Sequence, residues 1–592
     1  MTARKTAEKR SARHRVRRAL YVWPPAALLC GLAIIFIGGS LRAGWNMDRS
    51  VVFYENILRV LLWLNVALCC LMLFGPLRTK ASEYLERLGS FGAWRHAGWV
   101  VAAYLGIFGI LGFVKYVQYR GFQLPLDSSV TGNVAYNFLH HLTLENTVTG
   151  AKSYFAIHFT PLFTLIAPLL LLSNTLLPFL FLQTALVASM PVAVYVLAYR
   201  TTRSSFAGFI GFWLVLTSRF LLENNSASIQ PLNYLAPFFL WAMVFVEARM
   251  WVAAAILLLL MLSTNEQAPL TLFGLGLYLA LRGGARDKRA WLLGAAVSLG
   301  AALLFLWEMK VRFSVPGAAH FRDWSMFSHL GETPRAVLMS AVTDPLGFMG
   351  RIMLPIGNLA PTGKLILGAG LFPLLAPAHL AVWAAAYPPH LLAAPNDFYH
   401  TLILHYSSFC IGPLWWAGAA GLAWAYHRLS KRQWAPWLLV WAFLIGGANL
   451  YHTTPTLMKG WYPGMSQEGP EFASMVPQDA PLWASEYLSP WVSCRSFLKV
   501  LPYREDRNFT HNLFMPDYVL FTRHWALNSF RPFRRGVAAM LIEEGYGKVK
   551  EGEYMALMKH PRAPLSGSDG RPPVMTLPAP REGLDFKFRE AS

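Results

Sequence analysis

The chain has 592 residues, of which 55% are hydrophobic and 14% charged, against roughly 25% charged in an ordinary soluble domain. An aromatic content of 14% excludes a disordered chain, and five cysteines in so long a sequence exclude a disulfide-stapled secreted module. The formal charge is +21, but most of the chain has no polar surface on which a nucleic-acid binder would carry it. A polytopic membrane protein with a soluble appendage remains.

Residues 1–19 form a basic tail; the first twenty residues hold eight Lys or Arg against Glu8 alone, a balance of +7. The apolar run 20–41 is too long for a signal-peptide core and lacks a small-x-small cleavage site, so it reads as a start-transfer helix with a cytoplasmic N-terminus. Twelve further apolar segments follow: 54–76, 97–117, 177–199, 204–222, 231–249, 250–264, 268–282, 290–308, 363–377, 378–394, 409–427 and 434–450. Together they predict an all-α membrane bundle of about 13 transmembrane helices. Alternation from a cytoplasmic start puts Arg78, Lys80, Arg87, Arg95, Arg200, Arg203, Arg249, Arg282, Arg428 and Lys431 in inside loops, as the positive-inside rule requires. The odd number of spans places the C-terminal end outside the membrane.

Division by composition gives a basic tail (1–19), an additional hairpin and inside loop (20–96), a membrane core (97–450), an outer α/β domain (451–560) and an unstructured tail (561–592). Residues 451–592 carry 17 Lys+Arg and 15 Asp+Glu, only +2. Within them Asp517–Phe521 reads as a buried strand, Val537–Glu544 as a helix and Gly547–Met558 as a strand or hairpin. Two outer segments, 118–176 and 309–362, are too long to be simple connectors. His158–Leu172 in the first is apolar but interrupted by Pro161 and Pro168, the pattern of an interfacial or re-entrant helix.

No CxxC, HExxH or Gly-rich phosphate loop is present. No cofactor or dedicated metal site is signalled, although a divalent metal is not excluded. A carboxylate near membrane depth is costly and marks a functional position. Two stand out. Asp127, in Pro125-Leu126-Asp127-Ser128-Ser129, suits either a helix N-cap or a general base. Glu266 lies between two short apolar segments, either as a site residue or as an exposed loop residue. Histidines at 140, 141, 158, 320, 329, 400 and 405 lie on the same outer side. Lys310, Arg312, Arg322 and Arg335 run against the positive-inside trend, which suits an anionic partner such as a lipid phosphate, or charge balance with Asp323, Glu332 and Asp344.

An ordered series of blocks resembles a family of bacterial predicted membrane proteins, a domain of unknown function grouped with GT-C-type glycosyltransferases. Tyr154–Pro161 (YFAIHFTP) resembles its His-Phe-Ser-Pro segment, Ser263–Gln267 its Thr-Lys-Glu-Asp block and Phe327–Pro334 (FSHLGETP) its Tyr-Ser-His-Leu-Gly block. His405-Tyr406-Ser407 resembles its His-Tyr-Ser block, and Pro516–Leu520 and Gly545–Met558 resemble blocks of its outer tail. The likeness spans roughly 120–560.

The resemblance implies a GT-C-like fold in a bacterial cytoplasmic (inner) membrane. It also implies transfer of a sugar from a polyprenyl-phosphate carrier to a glycan, lipid or protein acceptor at the outer face, with membrane lipid as surroundings and no nucleic acid involved. Asp127 falls at the family's Tyr-Asp-Leu-Gly acid, though its neighbours Leu126, Ser128 and Ser129 differ; Gln267 replaces a second acid. The implied roles are Asp127 as base, with His158, Glu266, Gln267, His329, His405 and Tyr406 around the sugar. Lys310, Arg312, His320, Arg322 and Arg335 would meet the lipid phosphate. A transporter or flippase, and a non-catalytic assembly subunit, are the alternatives; the first should show inverted repeats and mid-span charges.

Overall fold

A backbone crossing hydrocarbon must satisfy its own hydrogen bonds, and apolar runs of this length do so as helices. The computed structural model describes residues 47–575, except 90–92, 284–286, 316–325, 355, 396, 403–404, 454–462, 487, 501–512, 515, 523–544 and 562–573. The expected first span (20–41) and the helix expected over Val537–Glu544 lie outside these residues.

The principal helices are α1 (Met47–Leu73), α2 (Gly75–Gly89), α3 (Ala93–Arg120), α4 (Leu126–His141), α5 (Leu177–Thr202), α6 (Ser205–Leu216), α7 (Arg219–Ser226) and α8 (Leu235–Glu247). Then follow α9 (Trp251–Leu262), α10 (Ala268–Gly283), α11 (Lys288–Ser314), α12 (Pro377–Ala386), α13 (Ser408–Ser430), α14 (Trp437–Thr453) and α15 (Pro463–Ser474). Their starts follow local chemistry. The Asp287 side chain accepts from the backbone N–H of Arg289 and Ala290 at the start of α11, and Ser204 caps α6 through the N–H of Ala207.

Among the described residues, three helices are long and apolar enough to cross a membrane: His96–Arg120, Leu177–Thr202 and Lys288–Ser314. Two bent pairs bring the number to five if each is one span: Arg59–Leu73 with Gly75–Gly89, at 109°, and Ser205–Leu216 with Arg219–Ser226, at 50°. The thirteen expected spans are thus not matched one for one among the described residues. Segments 231–249, 250–264 and 268–282 form the shorter apolar helices Pro231–Glu247, Trp251–Leu262 and Ala268–Gly283. Segment 363–377 breaks into Ala360–Gly368 and a 3-10 turn at Phe372–Leu375, because Gly370 and Leu371 turn left-handed (φ 71° and 64°) before Pro373. His158–Leu172 yields only a short helix, Leu162–Ile166, and a 3-10 turn, Ala167–Leu171. On α11, Leu292, Leu299, Leu303 and Leu306 stay exposed, the apolar face a membrane helix turns to lipid.

The C-terminal region is a five-stranded mixed sheet in the order β2-β1-β4-β6-β5, built from β1 (Leu482–Ala484), β2 (Leu498–Val500), β4 (Tyr518–Thr522), β5 (Gly547–Glu551) and β6 (Met555–Lys559). A separate two-stranded pair joins β3 (Leu513–Phe514) to β7 (Val574–Met575). β2, β1 and β4 run parallel, whereas β6 is antiparallel to β4 and β5. Every residue of β1 and β2 is buried, as parallel strands covered on both faces require. β5 is the open edge and presents Lys548 and Lys550, paired with Glu551 and Glu471.

This sheet is locked onto the end of α3, the connection that follows it, and α4. Trp491 stacks on Tyr119 (centroids 4.8 Å apart) and Phe122 (4.9 Å), and its indole N–H donates to the Tyr119 carbonyl at 2.6 Å. Asn133 donates to the Arg495 carbonyl at 2.7 Å, and the Thr147 hydroxyl bridges the N–H and C=O of Leu498. A Cβ on Gly132 would collide with the Ser493 side chain. Gly132→Val is therefore expected to loosen the sheet from the helices: limited proteolysis should release a C-terminal fragment at protease levels that leave the native chain intact.

Candidate functional site

The site forms where four chain segments meet above the short helices. Glu266 sits in the tight connection between α9 and α10 and is 2% exposed. Burying a carboxylate is unfavourable unless every lone pair is engaged. Here Oε1 receives Arg312 from α11 at 3.1 Å and lies 3.0 Å from His158 Nδ1, while Oε2 accepts the Phe159 backbone N–H at 3.0 Å. The Leu162 N–H donates to the Ser263 carbonyl, a second tie between the same loops. Burial alone would raise the Glu266 pKa; His158 and Arg312 outweigh it and hold the carboxyl below its ordinary range.

Asp127 occupies the first turn of α4, partly exposed. The cap position is Pro125 and no side chain caps the helix, so the capping reading of Asp127 is not realised. Its Oδ2 accepts the Ser228 hydroxyl at 3.4 Å, and Ser228 Oγ lies 3.2 Å from His405 Nδ1. With its one proton given to Asp127, Ser228 accepts from His405, which fixes the Nδ1–H tautomer. Burial drives the His405 pKa down to about 4; the Asp127 carboxylate pulls it up and His158 pushes it further down. His405 is therefore neutral near pH 7.

The two groups belong to one electrostatic neighbourhood. Burial first, then the Asp127 and Glu266 carboxylates, push the buried Tyr154 hydroxyl upward, with Arg312 opposing. The loop 227–233 that presents Ser228 is itself fixed: the Ile229 N–H donates to Ser128, Thr131 donates to the Ile229 carbonyl, and Asn233 donates to the Ser228 carbonyl.

The remaining sequence candidates are distributed around this centre. Gln267 accepts from the Tyr399 hydroxyl, and Tyr399 contacts the Tyr406 ring edge-on (5.2 Å). Tyr406 in turn lies against His405, with centroids 4.3 Å apart. Lys310 is exposed two residues before the buried Arg312. His329 and Arg335 are exposed on the second long segment, 309–362. His320 and Arg322 lie outside the described residues. No group of three His, Cys, Asp or Glu suited to a metal ion occurs among the described residues.

Sequence reading did not find Ser228, although the polar run Glu223–Asn233 between apolar helices is the signal that could have marked it. It also did not find Glu308, which is 2% exposed, one turn before Arg312, with Oε2 unpartnered.

Removing one member of a buried ion pair strands the other. Glu266→Gln is expected to cost about 3–5 kcal/mol of stability, seen as a lowered melting temperature in a detergent-solubilised thermal shift. The double variant Glu266→Gln/Arg312→Gln should recover part of the loss. Because the folded pKa of Glu266 is depressed, its contribution is present above the ordinary carboxylate range and lost as pH falls below it. The wild-type advantage over Glu266→Gln should therefore shrink on acidification.

The family model described as a predicted membrane protein, DUF2079, matches residues 122–545. No curated protein sequence matches. Among solved structures, ArnT from Cupriavidus metallidurans bound to undecaprenyl phosphate aligns over 79% of this chain and 99% of that chain, at 14% identity and a TM-score of 0.43. The same protein in the apo state aligns over 78% and 98%, at 12% identity and a TM-score of 0.42. The family match covers well over half of the 592 residues and includes the Asp127, Glu266 and His405 segments: the chain belongs to the DUF2079 family of predicted membrane proteins.

Proposed function

We propose that this membrane protein is a GT-C-type, inverting glycosyltransferase that moves a sugar from a polyprenyl-phosphate carrier to an acceptor hydroxyl at the outer face of the cytoplasmic membrane. The observation that carries the reading is the Asp127–Ser228–His405 chain beside the Glu266 cluster. A carboxylate at the start of a helix, oriented by a hydroxyl and partly open to solvent, is suited to accept a proton. Its neighbours are fixed by buried hydrogen bonds rather than by mobile surface contacts.

In the proposed step the acceptor oxygen gives its proton to Asp127 and attacks the anomeric carbon. The bond from that carbon to the phosphate oxygen breaks, and its electron pair leaves with the lipid phosphate. No nucleotide takes part, since the activated bond arrives with the lipid. Arg312 is held by Glu266 and keeps the site in shape. The exposed Lys310, with Arg322 and His320 of the neighbouring outer segment, supplies the charge that receives the phosphate. His158, Gln267, His405 and Tyr406 orient the sugar.

Asp127→Asn keeps the Ser228 contact and removes the base. Transfer is expected to fall by about 10²–10⁴-fold. Mass spectrometry of lipid-linked sugars and envelope glycans from cells making equal amounts of native and variant protein provides the measurement. An unchanged glycan profile would remove the general base and leave a non-catalytic membrane subunit as the reading.

A further inference from the structure

A cavity opens at the end of the bundle away from Asp127. α5 joins the two ends: Gln183 near its start accepts the Gln230 N–H beside the candidate site, and its last residues lead to Ser204, whose hydroxyl caps α6. The helix between them is roughly 30 Å long. The loops at this far end carry Arg78, Lys80, Arg203, Arg428 and Lys431, and the positive-inside rule assigns it to the cytoplasmic face. The cavity has a volume of about 340 Å³ and lies between α2, the start of α6 and the connection from α13 to α14, lined by Glu83, Glu86, Arg87, Phe206, Tyr426 and Pro436. Ligand sites run from roughly 300 to 1,000 Å³, so this one has room for a lipid headgroup but not for a whole lipid. Its surroundings are those of the headgroup layer. α2 turns 109° away from α1, so where α1 crosses the membrane α2 lies along its surface. Trp434 and Trp437 are exposed beside it, and Arg78 lies 3.8 Å over the Trp437 ring, the aromatic and basic pairing of a membrane interface. Leu73, Phe74 and Leu77, also exposed, continue this surface toward the acyl chains.

Glu86 sets the chemistry of the cavity. The hydroxyls of Ser204 and Tyr426 both donate to its Oε1, each at 2.6 Å, which fixes the carboxylate. Its Oε2 has no hydrogen-bond partner among the described residues and is left to the cavity. The Ser205 hydroxyl donates to the Leu85 carbonyl and accepts the Gly89 N–H at 2.9 Å, so α2 is held against α6. The Phe206 and Tyr426 rings, 6.2 Å apart, form an aromatic wall. Glu83 pairs with Arg87 at 3.6 Å, both exposed, and their spacing from Lys80 puts all three on one face of α2. We propose that this cavity binds the headgroup of a zwitterionic phospholipid carrying a primary ammonium, the phosphatidylethanolamine class. The ammonium donates to Glu86 Oε2 beside the Phe206 and Tyr426 rings, and the phosphate meets Arg87 and Lys80 at the rim. Charge-assisted hydrogen bonding and the ring faces both favour an ammonium there. A headgroup with a phosphate alone would bring like charge to Glu83 and Glu86, and a quaternary ammonium has no N–H to give to Oε2. The site is separate from the Asp127 centre and does not depend on sugar transfer.

A zero-length crosslink tests the contact. The full chain is placed in phosphatidylcholine nanodiscs containing a minor share of phosphatidylethanolamine and treated with a water-soluble carbodiimide, which joins a carboxylate to a primary amine touching it. Peptide mass spectrometry should find the lipid adduct on Glu86 several-fold above that on Glu247, an exposed carboxylate at the same end, whose carbonyl accepts from Arg200. No adduct on Glu86, or equal adducts on both residues, overturns the site. A crosslink from Glu86 to Lys5 or Lys9 in place of the lipid makes the basic tail the occupant and also overturns it. So does an equal adduct from soluble phosphoethanolamine added to pure phosphatidylcholine discs.

Selectivity is read by native mass spectrometry of the chain released from discs of phosphatidylethanolamine, phosphatidylcholine and phosphatidylglycerol in equal parts. The native chain should retain phosphatidylethanolamine several-fold over the other two, and Glu86→Gln should lose the preference over phosphatidylcholine. Phosphatidylglycerol retained equally well, or a preference unchanged in Glu86→Gln, overturns the headgroup assignment. If Glu86→Gln does not fold, Arg87→Gln decides, because that side chain is 65% exposed: retention of phosphatidylethanolamine should fall several-fold, and no change overturns the assignment.

Discussion

The candidate site depends on one constraint: a carboxylate placed out of water must be fully engaged. Glu266 meets it by gathering an arginine from α11, a histidine and a backbone N–H from the segment 118–176, and its own tight turn between α9 and α10. Three stretches separated by about 150 residues of chain are thereby fixed relative to one another. The short helices α9 and α10 could not supply this alone, since α9 is apolar throughout and has no charged side chain to offer. The ion pair is costly to desolvate and correspondingly specific: misplacing any of its members leaves a charge stranded. It also explains why Arg312 stands against the positive-inside trend, because its countercharge lies inside the protein.

The same reasoning shows what the amino-acid sequence makes legible. Long apolar runs identified α3, α5 and α11 within a few residues, because periodic burial in lipid leaves a strong compositional record. The strand at Tyr518–Thr522 and the hairpin from Gly547 to Lys559 were legible for the related reason that short buried strands are apolar and bounded by turn residues. The number of crossings was not, since hydropathy does not distinguish a helix that traverses from one that stops short against protein. Asp127, Glu266, His158 and His405 stood out because ionisable groups are rare in so apolar a chain. Their mutual arrangement did not, and Arg312 in particular pairs with Glu266, a partner 46 residues away. Ser228 carries no local signal of comparable strength: a serine in a polar loop is ordinary until the fold brings it to Asp127.

The contact between α4 and the C-terminal sheet gives the soluble part a direct mechanical hold on the membrane part. Its bonds run from side chains of α4 and the following loop to backbone groups of residues 495–498. Backbone recognition of this kind tolerates side-chain change on the sheet while preserving register, and the Gly132 approach leaves no room for slippage. Because Asp127 is on the same helix, any rocking of the sheet is transmitted to the first turn of α4 within one rigid element.

The two borders of the sheet are treated unequally. β2 is closed by Thr147, which occupies both the amide and the carbonyl of Leu498, whereas β5 has β6 as its only strand neighbour among the described residues and carries Lys548 and Lys550. Charged side chains on an open border discourage strand addition. In a membrane, where copies are confined to a plane, sideways collisions between such borders are frequent. The lysines of β5 place positive charge where two such strands would otherwise have to approach.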